Sequence, residues 1–227
     1  MNLDFMRSAL IAIDVQNDFC PGYTRASGEK RPAGALAVHE GDRVIKPLNS
    51  LGKKFAQKGG TVIASADWHP PAHVSFASTH QGMQPGTILD TGAVKGQVLW
   101  PDHCVQGSEG ACFHDHFDLR PVNLILRKGF RQELDSYSAF FENDRKTPTG
   151  LDGFLQGLSI DTLLLGGLAT DYCVLYSALD AVRRGYKTIV LIDAVQGVGY
   201  PQGSVERALD AMREAGVLLV DSEHCSG

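Results

Sequence analysis

Residues 161–184, with the sequence DTLLLGGLATDYCVLYSALDAVRR, join a short apolar segment to an amphipathic one through a turn. The run from 161 to 168 is almost wholly apolar and too short to cross a bilayer, which is typical of a parallel strand covered on both faces. After Cys173, apolar residues recur at spacings of four and three until Gly185, which indicates an amphipathic helix that ends at a glycine cap. The stretch therefore predicts a strand, a turn and a helix, with Cys173 where the helix begins.

Cys173 has two interpretations at this position. With Thr170 or Asp171 as the expected N-cap, the thiol lies among unpaired N–H groups at the positive end of the helix dipole, which favours the thiolate. The same N–H groups could hold an oxyanion. The alternative is that Cys173 is a small buried side chain with no catalytic role. The helix position by itself favours this alternative, because free cysteines are commonly buried.

Five further segments along the chain read as strands, and helical patterns lie between several of them. The strand segments are ALIAI at 9–13, TVIASA at 61–66, VNLIL at 122–126, KTIVLI at 187–192 and VLLV at 217–220. Helices are predicted over 42–58, after Cys173, and around Val205, Leu209 and Met212. Alternating strands and helices predict an α/β fold with three layers, in which helices flank a six-stranded, mainly parallel, Rossmann-like sheet.

Four chemically useful residues come at the ends of different strands. They are Asp14, Asp67, Lys128 and Cys173. Ligands of parallel sheets bind beyond the carboxyl ends of the strands, so these four side chains are expected at one edge. Asp14 could act as a general base for the thiol or merely cap a helix. Lys128 could stabilise a thiolate or be an ordinary surface charge.

The segment 67–116 is rich in histidine, proline and glycine and is predicted to be a long functional loop over the sheet. In the sequence Asp67-Trp68-His69, an oxygen and an imidazole two residues apart could reach one ion, and His103 would be a distant third ligand. One carboxylate and two histidines suit zinc, iron or manganese and leave positions open for water or substrate. His73 stays open as a fourth ligand.

Other histidines and acids of the chain receive weaker assignments. His80, His114 and His116 are expected to be loop residues, although the sequence His-Asp-His at 114–116 is a weaker candidate for a metal site. Asp193 is expected to cap a helix.

Composition limits the classes of function. The 227 residues fit one domain, 1–227, with a metal-binding loop inserted at about 67–116. A net charge of −5 without a basic block argues against nucleic-acid or membrane partners. Five cysteines without a C-x-x-C pair, and no signal-peptide pattern, favour reduced thiols and a cytoplasmic location. Self-association remains open.

Five segments together resemble the isochorismatase-like cysteine hydrolases. They are AIDVQNDFCPG at 12–22, SADWHPPAHVSFAS at 65–78, LWPDHCVQGS at 99–108, ILRKG at 125–129 and GLATDYCVLYSALDA at 167–181. The resemblance covers most of the chain. It implies a catalytic triad of Asp14, Lys128 and Cys173, and one divalent metal ion, zinc before iron or manganese, on Asp67, His69 and His103.

The resemblance also implies a reaction. It is the hydrolysis of nicotinamide to nicotinate and ammonia through a cysteine thioester in NAD salvage, with pyrazinamide as a further expected substrate. The N–H groups of Ala169 and Cys173 would form the oxyanion hole, beside a cis peptide between Leu168 and Ala169. Substrate-binding walls are expected from Phe19, Trp100 and Tyr137. The alternatives are another small amide as substrate, or a noncatalytic metal- and ligand-binding module.

Overall fold

One parallel sheet organises the chain. The computed structural model describes residues 3–90 and 95–225. The sheet strands are β1 (Ser8–Ile13), β2 (Thr61–Asp67), β3 (Leu124–Lys128), β4 (Thr162–Leu168), β5 (Lys187–Gln196) and β6 (Leu218–Val220). Their order is β6-β5-β4-β1-β2-β3, and every neighbouring pair is parallel. The predicted α/β fold class with six strands is confirmed.

Helices cover both faces of the sheet. They are α1 (Ile45–Gln57), α2 (Leu151–Gly157), α3 (Leu175–Arg183) and α4 (Ser204–Glu214). Successive side chains of a strand point to opposite faces, so Leu10 packs with α1, whereas Ile11 packs with α2, α3 and α4. All six residues of β1 are buried, which explains why its sequence is an unbroken apolar run.

Three features differ from the sequence-based expectations. The strand β5 continues to Gln196, so Asp193 lies inside a strand, where its carboxylate accepts hydrogen bonds from the backbone and hydroxyl of Ser222 at the start of a C-terminal 3-10 turn. The helix α2 was not predicted, because seven residues hold too few apolar positions to show a period. β3 begins at Leu124, two residues later than predicted.

The predicted N-cap of the helix after β4 is wrong. The chain enters the helix through a π-helical turn, Thr170–Val174, whose N-cap residue is Ala169, and no side chain caps it. Asp171 lies within this turn, and its carboxylate instead bonds to residues 198–204. The tertiary contact therefore replaces the local cap that the sequence suggested.

The segment that follows β2 is mostly irregular. It contains a 3-10 turn at Ala77–Thr79 and a small antiparallel pair, Ile88–Leu89 with Gln97–Val98. A second small pair, Tyr23–Thr24 with Lys30–Arg31, follows β1. No helix in residues 3–90 and 95–225 is long and apolar enough to cross a membrane.

Candidate active site

The carboxyl ends of the three strands β1, β2 and β3 and the turn after β4 meet around one lysine. Asp67 and Lys128 are the last residues of neighbouring strands and stand opposite each other in the register. Lys128 Nζ lies 2.9 Å from Asp14 Oδ2 and 3.4 Å from Cys173 Sγ. The structure thus brings together the three residues that the sequence proposed as a triad.

Lys128 also connects this group to the neighbouring acid. Its Nζ lies 2.5 Å from Asp67 Oδ1 and donates to the carbonyl of Ser136 at 2.9 Å. The side chain is wholly buried, and burial by itself would lower its pKa. The carboxylates of Asp14 and Asp67 outweigh that effect and hold the pKa of Lys128 well above its usual value. Lys128 is therefore a fixed positive charge.

Asp14 is held in an unusual backbone conformation just past β1. Its φ is 49°, in the left-handed region, and its N–H donates to the backbone carbonyl of Ser65. The hydroxyl of Ser65 donates to Asp14 Oδ1 at 2.7 Å. Burial raises the pKa of Asp14, although Lys128 opposes the rise. A carboxylate with a raised pKa is a better proton acceptor, which suits a general base.

The protonation of Cys173 differs from the expectation of a ready thiolate. Burial raises the pKa of the Cys173 thiol well above its usual value, and the opposing effect of Lys128 is smaller. The ligand atoms of Asp14, Asp67 and Cys173 all lie within 4.8 Å of one another. A thiol at this position therefore needs a nearby base to take its proton, and Asp14 is within reach.

The turn that carries Cys173 has a defined backbone. The peptide bond between Leu168 and Ala169 is cis, as the resemblance implied. The carbonyl of Ala169 accepts hydrogen bonds from the N–H groups of Tyr172 and Val174, which directs that oxygen into the turn. The assignment of the Ala169 and Cys173 N–H groups to an oxyanion hole stays a prediction.

Asp67, His69 and His103 form a buried group whose spacing fits one metal ion. Asp67 Oδ2 lies 3.6 Å from His69 Nε2 and 4.0 Å from His103 Nε2. These distances are too long for hydrogen bonds. Two atoms that each bind one ion at about 2.1 Å can lie up to about 4.2 Å apart, so the spacing fits shared coordination.

The far side of each imidazole is held in the way that metal-binding histidines require. Nδ1 of His69 is 2.8 Å from the carbonyl of Gly129, and Nδ1 of His103 is 2.8 Å from the carbonyl of Pro101. Because a carbonyl only accepts, each Nδ1 carries a hydrogen, and Nε2 is the ring atom that faces Asp67 and would bind a cation. The donor set therefore fits a divalent cation.

Two residues that support this group were missed by the sequence analysis. Gln16 is buried, and its amide accepts from the backbone N–H of Asp67 and donates to the carbonyl of Asp67. Gly129 has a φ of 62°, and a Cβ there would lie 2.5 Å from Cε1 of His69. Both lie inside segments that carry the family resemblance, but polar or glycine identity alone did not distinguish them.

His73 lies beside the group rather than within it. Its ring stacks on His69 at 4.1 Å between centroids, and its Nδ1 is 2.7 Å from the hydroxyl of Ser75. It forms a second set of possible ligand atoms with His69 and with Asp135, a buried acid that the sequence analysis did not select. Burial, with the neighbouring His69, lowers the pKa of His73 to about 4, so its ring is neutral at pH 7.

The remaining histidines lie elsewhere. His80 Nε2 lies 2.8 Å from the carbonyl of Val74, and His114 stacks on Tyr23. Within residues 3–90 and 95–225, the sets of three or more possible metal ligands include none of His80, His114 and His116.

A narrow cleft joins the thiol to the candidate metal ligands. Phe19, Trp100 and Tyr137 line it, as the sequence analysis expected of the substrate walls. The indole N–H of Trp100 donates to the hydroxyl of Tyr137 at 3.1 Å, so these two walls are fixed together. Lining residues that the sequence analysis did not select are Leu36, Asp135, Tyr172 and Val198.

Comparison with known proteins gives a consistent result. Residues 8–224 match the isochorismatase domain. The chain is 43% identical over 216 residues to a nicotinamidase of Acinetobacter baylyi, covering 95% of this chain and 93% of that protein. It is 44% identical over 213 residues to a nicotinamidase of Escherichia coli, covering 93% of both chains.

Solved structures show the same similarity. A nicotinamidase/pyrazinamidase of Acinetobacter baumanii superimposes with a TM-score of 0.88 at 41% identity, covering 98% of this chain and 100% of that one. A pyrazinamidase of Pyrococcus horikoshii in complex with zinc superimposes with a TM-score of 0.73 at 33% identity, covering 95% of this chain and 99% of that one.

Proposed function

Because the chain belongs to the isochorismatase family, we propose that it is an amidohydrolase that converts nicotinamide to nicotinate and ammonia. One observation carries the proposal: the cleft that holds Cys173 is also lined by Asp67, His69 and His103. A nucleophile at one end and a set of metal ligands at the other match a small ring that bears a carboxamide. The similarity to nicotinamidases over more than nine-tenths of the chain supports the same substrate.

The first step is proton transfer from the Cys173 thiol to the Asp14 carboxylate. It is needed because burial keeps the thiol protonated. Lys128, 3.4 Å from Sγ and 2.9 Å from Asp14 Oδ2, offsets the negative charge that moves from oxygen to sulfur. The thiolate then attacks the carboxamide carbon, and sulfur forms a bond as the carbonyl electron pair moves to oxygen.

The tetrahedral oxyanion would be held by the N–H groups of Ala169 and Cys173, two donors on the turn that also carries the sulfur. When the oxyanion collapses, the carbon–nitrogen bond breaks and the protonated Asp14 gives its proton to the leaving nitrogen, which departs as ammonia. A nicotinoyl thioester remains on Cys173. Asp14, again ionised, accepts a proton from water, whose oxygen attacks the thioester carbon. The carbon–sulfur bond then breaks, the sulfur of Cys173 takes the proton back from Asp14, and the nicotinic acid leaves and ionises to nicotinate.

Asp67, His69 and His103 would hold one divalent ion, for which zinc is the first choice. The bound ion would supply an open coordination position for the ring nitrogen, which fixes the ring and places the carboxamide near sulfur. The zinc complex of the similar Pyrococcus horikoshii pyrazinamidase supports this choice. The walls Phe19, Trp100 and Tyr137 would hold the ring in plane.

Several narrower assignments remain predictions. Pyrazinamide has the same carboxamide on a ring with a nitrogen at the corresponding position, and the names of two similar structures support it as a second substrate. The role in NAD salvage, the cytoplasmic location and the single-domain organisation are proposed on the sequence arguments given above.

The test is product formation by protein loaded with zinc. We expect ammonia and nicotinate in equal amounts from nicotinamide, and a protein mass increased by one nicotinoyl group on Cys173 when the reaction is quenched early. Zinc-loaded protein that releases no ammonia from nicotinamide, but does so from another small amide, would reassign the substrate within the same chemistry. Turnover without any acylated Cys173 would reject the thioester mechanism.

A further inference from the structure

The turn that carries the nucleophile is tied to a second segment by one buried carboxylate. Asp171 lies two residues before Cys173 and is 5% exposed. Its Oδ1 accepts from the N–H of Val198 at 2.9 Å, and its Oδ2 accepts from the N–H of Gly199 at 2.9 Å. Oδ2 also accepts from the hydroxyl of Ser204 at 2.5 Å. All three donors belong to the connection between β5 and α4 or to the first residue of α4.

This connection, residues 197–203, is called the strap below. It is irregular and contains three glycines, Gly197, Gly199 and Gly203, two of which have a positive φ. A Cβ at Gly197 would lie 3.2 Å from Asp171 Oδ1, which is closer than most Cβ atoms lie to their neighbours. The backbone of the strap therefore passes close to the carboxylate. A segment without regular secondary structure lacks the hydrogen-bond ladder of a helix or strand, so specific hydrogen bonds to other segments help to hold its position.

The strap reaches the substrate cleft. Val198 lines the cleft together with Cys173 and Tyr172. The hydroxyl of Tyr172 donates to the carbonyl of Tyr200 at 2.6 Å, which adds a second tie between the turn and the strap. Asp171 therefore joins the residue that would attack the substrate to one wall of the cleft, although its own side chain is not among those that line it.

We infer that Asp171 is a positioning residue that holds the strap closed over the substrate cleft. Its carboxylate accepts two backbone N–H groups in charge-assisted hydrogen bonds, which are the stronger kind. Loss of these bonds would let Val198 move away from the cleft, so the ring would be held less tightly and the thiol would become more accessible. The inference concerns the proposed nicotinamide site and, for its effect on KM, rests on that proposed function.

The decisive variant is Asp171→Asn, which keeps size and shape but places an NH₂ group where an acceptor is needed. We expect KM for nicotinamide to rise about tenfold with kcat changed less than about threefold, as for loss of one charge-assisted hydrogen bond. Alkylation of Cys173 by iodoacetamide, followed by mass spectrometry without any substrate, is expected to become about tenfold faster.

The matched control is Asp180→Asn. Asp180 is also a largely buried acid close to the turn, and its carboxylate pairs with Arg183 instead of the strap. This variant should leave both the KM and the alkylation rate within about twofold of the wild-type values, because Asp180 does not line the cleft and its partner Arg183 is largely exposed.

A second variant covers the case in which Asp171→Asn fails to fold. Ser204→Ala removes one of the three bonds from a residue that does not line the cleft, and we expect alkylation of Cys173 to become about twofold to threefold faster. In the Asp171→Asn background, Ser204→Ala should add less than it does alone, since Asp171→Asn already weakens the same contact.

The inference would be overturned if Asp171→Asn had the same alkylation rate and KM as Asp180→Asn. It would also be overturned if the effects of Asp171→Asn and Ser204→Ala on the alkylation rate were fully additive. If wild-type protein fails to hydrolyse nicotinamide, the proposed substrate is wrong, but the alkylation rates still test the strap. The two failures are therefore distinguishable.

Discussion

The two ends of the cleft are built in different ways. At the nucleophile end, Asp14 and Lys128 stand at or next to the ends of parallel strands, so the hydrogen-bond register of the sheet fixes their spacing. At the metal end, Asp67 also terminates a strand, but His69 and His103 lie on a long irregular segment. Each imidazole is oriented by a hydrogen bond to a carbonyl group, that of Gly129 for His69 and that of Pro101 for His103.

One site can therefore combine side chains placed by the register of a sheet with side chains placed on a loop. The sheet sets the spacing of the charge cluster, whereas each loop histidine needs a hydrogen bond that orients its ring. Lys128 belongs to both parts because its Nζ contacts Asp14 and Asp67. Four substitutions test this distinction, beginning with the one that should reduce activity most.

Cys173→Ala should abolish turnover and leave the metal end intact. With no nucleophile, kcat for nicotinamide is expected to fall about 10⁴-fold or more. Zinc content, measured by elemental mass spectrometry, should remain that of the wild type. The exposed Cys112 gives the matched control, since Cys112→Ala should retain full activity. Substantial ammonia release by Cys173→Ala would show that the nucleophile is another group.

His69→Ala should break the metal end and spare the nucleophile end. We expect loss of bound zinc and a fall in kcat/KM of about 100-fold or more, because the ring would no longer be oriented. Alkylation of Cys173 should stay within about twofold of the wild-type rate. His80→Ala is the control, as His80 lies outside the ligand group. Normal zinc content in His69→Ala would remove the metal assignment.

Gly129→Ala tests the support rather than the ligand. The new Cβ would lie 2.5 Å from His69 Cε1 at a position whose φ is 62°, so the imidazole must shift or the backbone must change. Zinc affinity, measured by competition with a chelator, should fall about 10- to 100-fold. Gly153→Ala in α2, where a Cβ would meet nothing within 4 Å, should leave affinity unchanged. Equal affinities in both variants would contradict the supporting role.

Ser65→Ala tests how much help the sheet edge needs. It removes the 2.7 Å hydrogen bond to Asp14 Oδ1, and one such bond contributes about 1 kcal/mol to the free energy of unfolding. We expect kcat to fall about tenfold or less, since Lys128 and the backbone still hold Asp14. Urea denaturation would measure the free energy of unfolding, and steady-state kinetics would measure kcat. Ser50→Ala, at an exposed position, is the control. A loss as large as that of His69→Ala would erase the contrast between the two ends.

Much of the fold could be predicted from local pattern. Strands with both faces buried read as continuous apolar runs, and β1 and β4 were found for that reason. The helix α2 and the extra length of β5 were not predicted. A seven-residue helix shows no clear period, and the charged Asp193 interrupts the apolar pattern of β5.

The residues of the candidate site also differ in whether the sequence alone could identify them. Residues with distinctive chemistry at strand ends, such as Asp14, Lys128 and Cys173, could be selected from the sequence because parallel topology brings strand ends together. Gln16, Ser65 and Gly129 could not, since each acts through a contact with a residue more than 50 positions away. Their polar or glycine identity is common in loops and strands and carries no signal alone.

The order of strands and helices along the chain, the sheet edge that carries the reactive side chains and the identity of those side chains can all be read from the sequence. Their protonation states and hydrogen-bond partners depend on the tertiary structure. Burial raises the pKa of Cys173, so the expected thiolate is a thiol that needs Asp14, and a contact across 27 residues turns Asp171 from a predicted cap into a tie to the strap. Desolvation and long-range hydrogen bonds depend on the packed fold as a whole, and no local pattern contains them.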